Sequence, residues 1–271
     1  MIVHIFLKRN IVKQHKIFST LIIFFLLVSS GQGQVISGSA GSDASVEPRY
    51  IIDMPTAGIL KKSQLAFDAE FFQQGGILFG FSYGLLDRLT LGISYGGYHL
   101  IGSEQAHFNP APGFLIKFRI FEESINFPAL VIGFDNQGRE PYIDSTSRYT
   151  IKSPGIFAGL SKNYSFLGTL SFHGGVNYSL ERADGDKDFN GYIGIEKSIG
   201  PTFSLLLEYN IALNDNTIRS LGKGKGYLNA YVSWSMGSGF TIGVGLKNLT
   251  KNQDNIQVGN RILRIEYVKN L

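Results

Sequence analysis

The sequence predicts an all-β fold, a transmembrane antiparallel up-and-down β-barrel of about 12 strands, with a range of about 10–14. Three observations predict it. Apolar residues recur at every second position in short segments, the segments are even in number, and short connections alternate with long ones. Because successive side chains of a strand point to opposite faces, each segment has one apolar face and one polar face.

The first 33 residues have the order of an export signal. Basic residues up to Lys16 precede an apolar stretch at 17–28, and the small residues Gly31 and Gly33 follow it. A helix of that length is too short to cross a hydrocarbon core of ~30 Å. The sequence therefore predicts a cleaved signal peptide at 1–33 and export to the outer membrane of a Gram-negative-type bacterium.

A flexible periplasmic lead is predicted for residues 34–62. Residues 35–47 are rich in Gly, Ser and Ala and have no periodicity. Pro55 and Gly58 leave two alternatives for residues 53–59, a turn tucked into the periplasmic mouth of the barrel or a lead draped outside it. The barrel itself is predicted at 63–271.

Twelve segments within that range alternate with period two. In the clearest one, Phe203, Leu205 and Leu207 share one face, while Ser204 and Glu208 share the other. The twelve segments are 63–72, 76–85, 88–97, 113–121, 127–135, 148–161, 166–180, 189–198, 202–212, 226–236, 239–248 and 261–268.

The connections indicate how the barrel is oriented. Those after even-numbered segments are brief, and those after odd-numbered segments are longer, except at 73–75. Membrane barrels have short periplasmic turns and longer external loops, so both ends of the barrel are predicted to lie on the periplasmic side. The alternative is a soluble β-sandwich or lipocalin-like barrel with its apolar face inward. A polar face rich in Gly and Ser instead of Lys and Glu favours the membrane.

Charge and cysteine content exclude several classes of function. The chain has 25 basic and 21 acidic residues, and four of the basic ones (Lys8, Arg9, Lys13 and Lys16) lie in the predicted signal peptide. The remainder is balanced, so nucleic acid is not a predicted partner. The absence of Cys excludes disulfides, thiolate metal sites, a cysteine nucleophile and lipidation at a lipoprotein cysteine.

Charged residues at polar-face positions are predicted to line the lumen, because a charge facing lipid is costly, ~2–4 kcal/mol for Lys or Arg at mid-depth. Two interpretations stay open, a charged constriction that selects permeants and a cross-linked lumen that holds the barrel shut. Pairing of the first and last strands is predicted to bring Asp68 and Glu70 near Arg264. The lumen-lining candidates are Asp68, Glu70, Lys117, Arg119, His173, Glu196, Glu208, Lys247, Arg264 and Glu266.

Other motifs carry weaker chemistry. Ser171 and His173 share a face, yet side chains at i and i+2 of a strand lie roughly 6–7 Å apart, too far for a nucleophile and its base. Asp184, Asp186 and Asp188 have the spacing of a calcium loop without its glycine and glutamate, which predicts a solvated acidic loop. No enzyme site, cofactor or metal is predicted.

The stretch PRYIIDMPTAGIL at 48–60, followed at once by an amphipathic strand, resembles the opening of YjbH-like outer-membrane β-barrel proteins. The segments YGLLDRLTLGISYGG at 83–97 and GYLNAYVSWS at 226–235 have the same character. The resemblance implies a link to exopolysaccharide production or export. The better-known members are longer and are predicted lipoproteins, from which this cysteine-free chain differs.

The last strand resembles the alternating signal that the barrel-assembly machinery reads, through Leu263, Ile265 and Tyr267. Predicted partners are therefore outer-membrane lipid, the barrel-assembly machinery, and a polysaccharide or small hydrophilic solute. The predicted function is a channel or conduit for such a solute. A structural or adhesive barrel with a closed lumen and functional external loops is the alternative, and an outer-membrane lipid enzyme is a lower one.

Overall fold

A computed structural model describes residues 37–256 and 259–271, and the predicted signal peptide at 1–33 lies outside them. In the described residues no helix is long and apolar enough to cross a membrane. The strands are β1 Gln64–Phe72, β2 Gly76–Leu86, β3 Leu89–Tyr98, β4 His107–Phe108, β5 Gly113–Phe121, β6 Ala129–Asp135, β7 Arg139–Ile143, β8 Arg148–Ile151, β9 Gly155–Ser165, β10 Thr169–Tyr178, β11 Asn190–Ile199, β12 Phe203–Asn210, β13 Tyr227–Gly237, β14 Phe240–Lys247 and β15 Asn260–Asn270.

Twelve of these strands form one closed antiparallel barrel, which confirms the predicted fold class. Each barrel strand pairs with its neighbours in chain order, and β1 pairs with β15 from Gln64 opposite Asn270 to Phe71 opposite Leu263. The short strand β4 pairs antiparallel with the end of β3, and β7 pairs with β8 in a separate two-stranded sheet. Closure removes the unpaired edges that an open sheet would expose.

The burial pattern of the barrel is the reverse of that in a soluble protein. On β5, Phe114, Ile116 and Phe118 are 42–51% exposed on the outer face, whereas Lys117 and Arg119 are at most 3% exposed on the inner face. Large apolar side chains that point outward all around a closed barrel form a surface for lipid. The period-two alternation thus places the apolar faces outside, and the soluble alternative does not apply.

The two ends of the barrel differ in their connections. One end, here called the turn end, has the connections 87–88, 122–128, 166–168, 200–202 and 238–239, together with the start of β1 and the end of β15. The other, here called the loop end, has the connections 73–75, 99–112, 136–154, 179–189, 211–226 and 248–259. The predicted parity of short and long connections, including the short one at 73–75, is present in the structure.

The sixth predicted segment, 148–161, differs from the structure. Only Gly155–Ser165 is a barrel strand, while Arg148–Ile151 belongs to β8, whose four residues are all buried. Pro154 has no backbone N–H for a ladder, and Gly155 has a positive φ of 66°, so the chain turns sharply between the two strands. Strands β7 and β8 form what we call the outer hairpin, residues 139–151.

The structure also differs from the expected flexible lead. Residues 38–60, here called the plug, enter at the turn end, where residues 42–45 and Glu47 are exposed, and residues 49–60 lie inside the barrel. The amides of Ser42 and Asp43 donate to the carbonyls of Gly200 and Pro201, each at 3.1 Å. The tucked alternative for residues 53–59 therefore describes the structure, and the inserted segment is longer than that alternative proposed.

The plug turns back inside the lumen as a short hairpin, residues 49–56. The amide of Ile51 donates to the carbonyl of Met54 at 2.8 Å, and that of Thr56 donates to the carbonyl of Arg49 at 3.2 Å. The chain then returns to the turn end, where the amide of Leu60 donates to Thr90 Oγ1 at 2.9 Å. The tip of this hairpin therefore points toward the loop end.

An apolar core lies inside the barrel, where the plug meets the outer hairpin. Members of this cluster come from the plug, the outer hairpin, the loop 248–259 and the inner wall, and they are 8% exposed or less. They are Ile51, Ile52, Met54, Ile151, Tyr192, Leu206, Tyr231, Ile256 and Ile262. Segments entering from opposite ends thus fill the lumen together.

Candidate functional site

The ten predicted lumen residues all lie on the inner face of the barrel. Seven of them are at most 8% exposed, and the side chains of Asp68, Arg264 and Glu266 are between 12% and 22% exposed. They do not face each other across an open passage, because the plug occupies the space between them. Of the two interpretations, the charged constriction does not describe the part of the chain that the structure shows, in which these charges contact the plug or neighbouring wall residues.

Two basic residues of β5 hold the carbonyl groups of the plug. Lys117 Nζ donates to the carbonyls of Arg49 and Gly58, at 2.7 and 3.0 Å. Arg119 Nη2 donates to the carbonyl of Ala57 at 2.6 Å and pairs with Glu47. A buried carbonyl without a donor is costly, so these contacts replace the strand partners that the plug lacks.

Glu208 of β12 performs the complementary role for amide groups. Its Oε2 accepts from the amides of Ile52, Asp53 and Met54, at 2.9, 2.8 and 2.8 Å. Three successive amides that converge on one oxygen form an anion-binding concavity of the kind called a nest. Glu208 Oε1 accepts from Asn229 at 3.0 Å. The tip of the plug is thus anchored to β12 and β13.

Arg49 of the plug neutralises two carboxylates of the barrel seam. Its Nη1 and Nη2 donate to the two oxygens of Asp68, at 2.9 and 2.5 Å, and Nη2 also donates to Glu266 at 2.6 Å. Asp68 and Glu266 stand directly opposite each other on β1 and β15, where like charges repel. Glu70 pairs with Arg264 at 2.5 Å, as the sequence predicts, but the partner of Asp68 is Arg49.

Lys247 of β14 lies between the plug and the outer hairpin. Its Nζ is 2.8 Å from Asp53 of the plug and 3.1 Å from Glu140 of the outer hairpin, with Glu70 at 3.9 Å. All four side chains are at most 3% exposed. Burial raises the pKa of Glu140 to about 7, an effect that the charge of Lys247 opposes and the charge of Asp53 reinforces. One wall residue therefore contacts both lumenal segments.

His173 has a different serine partner from the one its sequence position suggests. Ser161 Oγ lies 2.8 Å from His173 Nδ1, whereas Ser171 donates to Asn163 at 2.5 Å. His173 Nε2 is 3.8 Å from a carboxylate oxygen of Glu196. The hydroxyl of Ser161 also accepts from the amide of Ala57 at 2.9 Å. These contacts join the wall to the plug, and the serine contacts Nδ1 instead of Nε2, the usual base of a serine triad.

The acidic loop 179–189 is more buried than predicted. Asp184 contacts Arg148 at 2.7 Å and Lys152 at 2.8 Å, and both Asp184 and Asp186 are 2% exposed. Burial opposes ionisation of Asp215, but its hydrogen bonds with Arg148 and the charge of that guanidinium outweigh burial and lower its pKa. Among the residues that the structure describes, no group of three or more His, Asp or Glu is arranged to hold a metal. Through Arg148, Asp184 and Asp215 therefore fix the outer hairpin against the loops 179–189 and 211–226.

Two features of the wall accommodate the plug. A cavity of about 90 Å³ remains beside it, bordered by Arg49, Asp68, Arg264 and Glu266, and is large enough for several water molecules. On β11, a Cβ atom at Gly194 would lie 2.7 Å from two carbons of Ile51. Any larger residue at this wall position would force the side chain of Ile51 to move.

Sequence reasoning did not identify the residues that the plug contributes. Arg49 and Asp53 lie in a stretch without periodicity. Of the outer-hairpin residues, Glu140 lies in a predicted connection and Arg148 begins the sixth predicted segment, 148–161. A signal existed in the plug, since Ile51, Ile52, Met54, Ile59 and Leu60 are numerous apolar residues for a segment draped in water. A periodicity search does not detect such a segment, because its side chains do not alternate between two faces.

Comparisons with known proteins show a likeness to solved structures. No protein-family model matches the chain, and no curated protein matches it. A solved structure described as KdgM porin is similar, with a TM-score of 0.48 and 10% sequence identity, over 77% of this chain and 99% of that chain. A likeness at this level carries no conclusion about what this chain binds.

Proposed function

We propose that this protein is an outer-membrane channel for hydrophilic solutes, held closed by its own plug. One observation carries the proposal: inside the lumen, side chains of the wall hold the hairpin 49–56, whose own backbone hydrogen bonds lie within it, while backbone-to-backbone contacts of the plug with the barrel lie at the turn 200–202. Its departure would leave every pairing of the barrel strands in place. The wall beneath it is polar, with Ser82, Ser204 and Ser233 among its inner residues.

The proposal extends to the surroundings of the barrel. It includes a cleaved signal peptide at 1–33, insertion by the barrel-assembly machinery, and a turn end that faces the periplasm. The resemblance to YjbH-like proteins adds an envelope exopolysaccharide to the small hydrophilic solutes as a candidate permeant. The proposal includes no catalytic step.

A permanently closed structural barrel is the second candidate. The apolar cluster around Ile51, Ile52 and Met54 favours it, because burying such side chains is worth ~1.5–3 kcal/mol each. In that case the loops of the loop end would carry the activity, and the lumen would serve only stability.

Conductance in planar bilayers separates the two candidates. We compare the wild-type protein with a variant lacking residues 38–58 and with a variant that also lacks the outer hairpin. A boiled-versus-unboiled gel shift first establishes that each barrel is folded. Steady ion flow through the second variant, with brief or rare openings of the wild type, supports the channel. A sealed bilayer with both folded variants refutes it.

A further inference from the structure

We propose that Lys247 couples the plug and the outer hairpin, so that the two segments dock in the lumen and leave it together. This inference rests on the proposed function, since it describes how the closed state of the channel is held. The two segments enter the barrel from opposite ends. Release of only one would leave the other in the lumen, so a coupled release is what a channel with this arrangement requires.

Lys247 lies between the two lumenal segments. Lys247 Nζ lies 2.8 Å from Asp53 and 3.1 Å from Glu140, which belong to different lumenal segments. Its side chain is 1% exposed, so its charge depends for compensation on Asp53 and on the ionised form of Glu140. If either segment leaves, the other remains next to Lys247, which has then lost one of the two carboxylates that compensate its charge.

The two segments also share an apolar interface. Ile151 of the outer hairpin belongs to the same buried cluster as Ile51, Ile52 and Met54 of the plug. Departure of the outer hairpin would expose these plug side chains to water that enters from the loop end. The ion pairs of Lys247 and the apolar contacts of this cluster therefore both favour docking of the two segments together.

The outer hairpin has its own attachments on the barrel. Arg148 contacts Asp184 at 2.7 Å and Asp215 at 2.5 Å, and Gln253 donates to the carbonyl of Thr150 at 2.9 Å. These contacts link the hairpin to three loops of the loop end. A ligand that rearranges those loops would therefore act on the plug through the outer hairpin and Lys247.

Cysteine labelling tests the coupling without any measurement of conductance. The chain has no native Cys, so Ala57→Cys in the plug and Thr150→Cys in the outer hairpin each report on one segment. Both positions are at most 1% exposed. A charged, water-soluble maleimide is added to the full-length protein folded in lipid vesicles. Leu167→Cys, at a position 88% exposed, gives the rate for a fully accessible site.

Each segment is then perturbed while the other is observed. Asp53→Asn weakens the plug contact with Lys247, and we expect faster labelling at Thr150→Cys by about tenfold, within the range of ordinary coupling between sites. Ile151→Ala weakens the outer hairpin, and we expect a similar increase at Ala57→Cys. Because coupling is reciprocal, the plug and the outer hairpin should influence each other by comparable factors.

Lys247→Met should accelerate labelling at both reporters, since it leaves Asp53 and Glu140 buried without their cation. The matched control is Lys162→Met, which alters a wall lysine that binds the turn 122–128 at the carbonyl of Ile125. We expect the control to change neither rate. If Lys247→Met fails to fold by the gel-shift criterion, Asp53→Asn and Ile151→Ala still decide the question.

The outcomes separate this inference from the proposed function. Labelling of the perturbed segment alone, with the other segment unchanged, would overturn the coupling even if the barrel conducts. Coupled labelling in a barrel that never conducts would uphold the coupling and refute the channel. Faster labelling with Lys162→Met, equal to that with Lys247→Met, would show a general loosening and overturn the role of Lys247.

Discussion

Replacement of Arg49 by Met should release the plug. The guanidinium of Arg49 contacts both Asp68 and Glu266, which face each other on neighbouring strands. Without it, the docked plug would leave two carboxylates side by side with no cation from the plug, whereas a departed plug would leave them to water in the lumen. The substitution therefore penalises the closed state far more than the open one.

The size of the effect can be worked out from the structure. Breaking a fully buried ion pair by removing one partner costs about 3–5 kcal/mol. The side chains of Asp68 and Glu266 keep 22% and 12% of their exposure, so solvent reduces that cost to about 3 kcal/mol for the pair of contacts. This corresponds to a shift of roughly 150-fold toward the released plug. Lys at position 49 should recover only part of the loss, because an ammonium cannot bind two carboxylates bidentately.

Two assays measure this shift, the open fraction in planar bilayers and the labelling rate of Ala57→Cys. The matched control is Arg88→Met, because the Arg88–Glu122 contact is 3.9 Å long and both side chains are more than half exposed. Such a surface pair contributes about 0–1 kcal/mol. The reasoning is refuted if Arg49→Met labels no faster than the control. A further check is the addition of Asp68→Asn, which should reverse part of the release by removing one uncompensated charge.

Three further predictions follow from other contacts of the lumen. Oxidation of an Ala57→Cys, Ser161→Cys pair, joined at present by a hydrogen bond of 2.9 Å, should lock the plug and abolish conductance until a reductant is added. The outer hairpin should label faster as pH rises from about 5 to 8, because the docked Glu140, with its pKa raised to about 7, holds a proton that the undocked residue releases. Gly194→Leu should expel the plug and raise the labelling rate at Ala57→Cys at least tenfold. The Cβ atom at position 194 would alone lie 2.7 Å from the side chain of Ile51.

Each of these predictions has its own control. The disulfide requires that either single cysteine variant conduct like the wild type. For the pH dependence, the control is Glu140→Gln, which mimics the protonated side chain. Its neighbours are Lys247, Asp53, Glu70 and Asn260. The outer hairpin of this variant should stay docked, and its labelling rate should no longer change with pH. A slope that persists in this variant would assign the titration to another group. Gly174→Leu points from the outer face of β10 toward lipid and should leave the plug in place.

A large part of the barrel could be predicted from the sequence. Alternation along β12 places Ser204 and Glu208 on the inner face because a strand has a period of two, whatever surrounds it. The parity of connection lengths similarly predicts which ends of the strands lie together. The error at 148–161 arose where Arg148–Ile151 has the residue types of a strand but is buried on both sides. Alternation cannot separate a barrel strand from a hairpin folded into the lumen.

The sequence by itself determined the closed barrel, its lipid-facing surface and the inward direction of its charges, because these depend on the local geometry of a strand. Only the tertiary structure decided what those charges contact. Lys117 and Glu208 bind backbone groups of a segment that lies 59 to 156 residues away in the chain. Period two predicts which face of the wall a side chain occupies. It does not predict which segment fills the lumen, because that depends on contacts between residues far apart in the chain. The position of the plug inside the barrel is therefore a result of the tertiary structure alone.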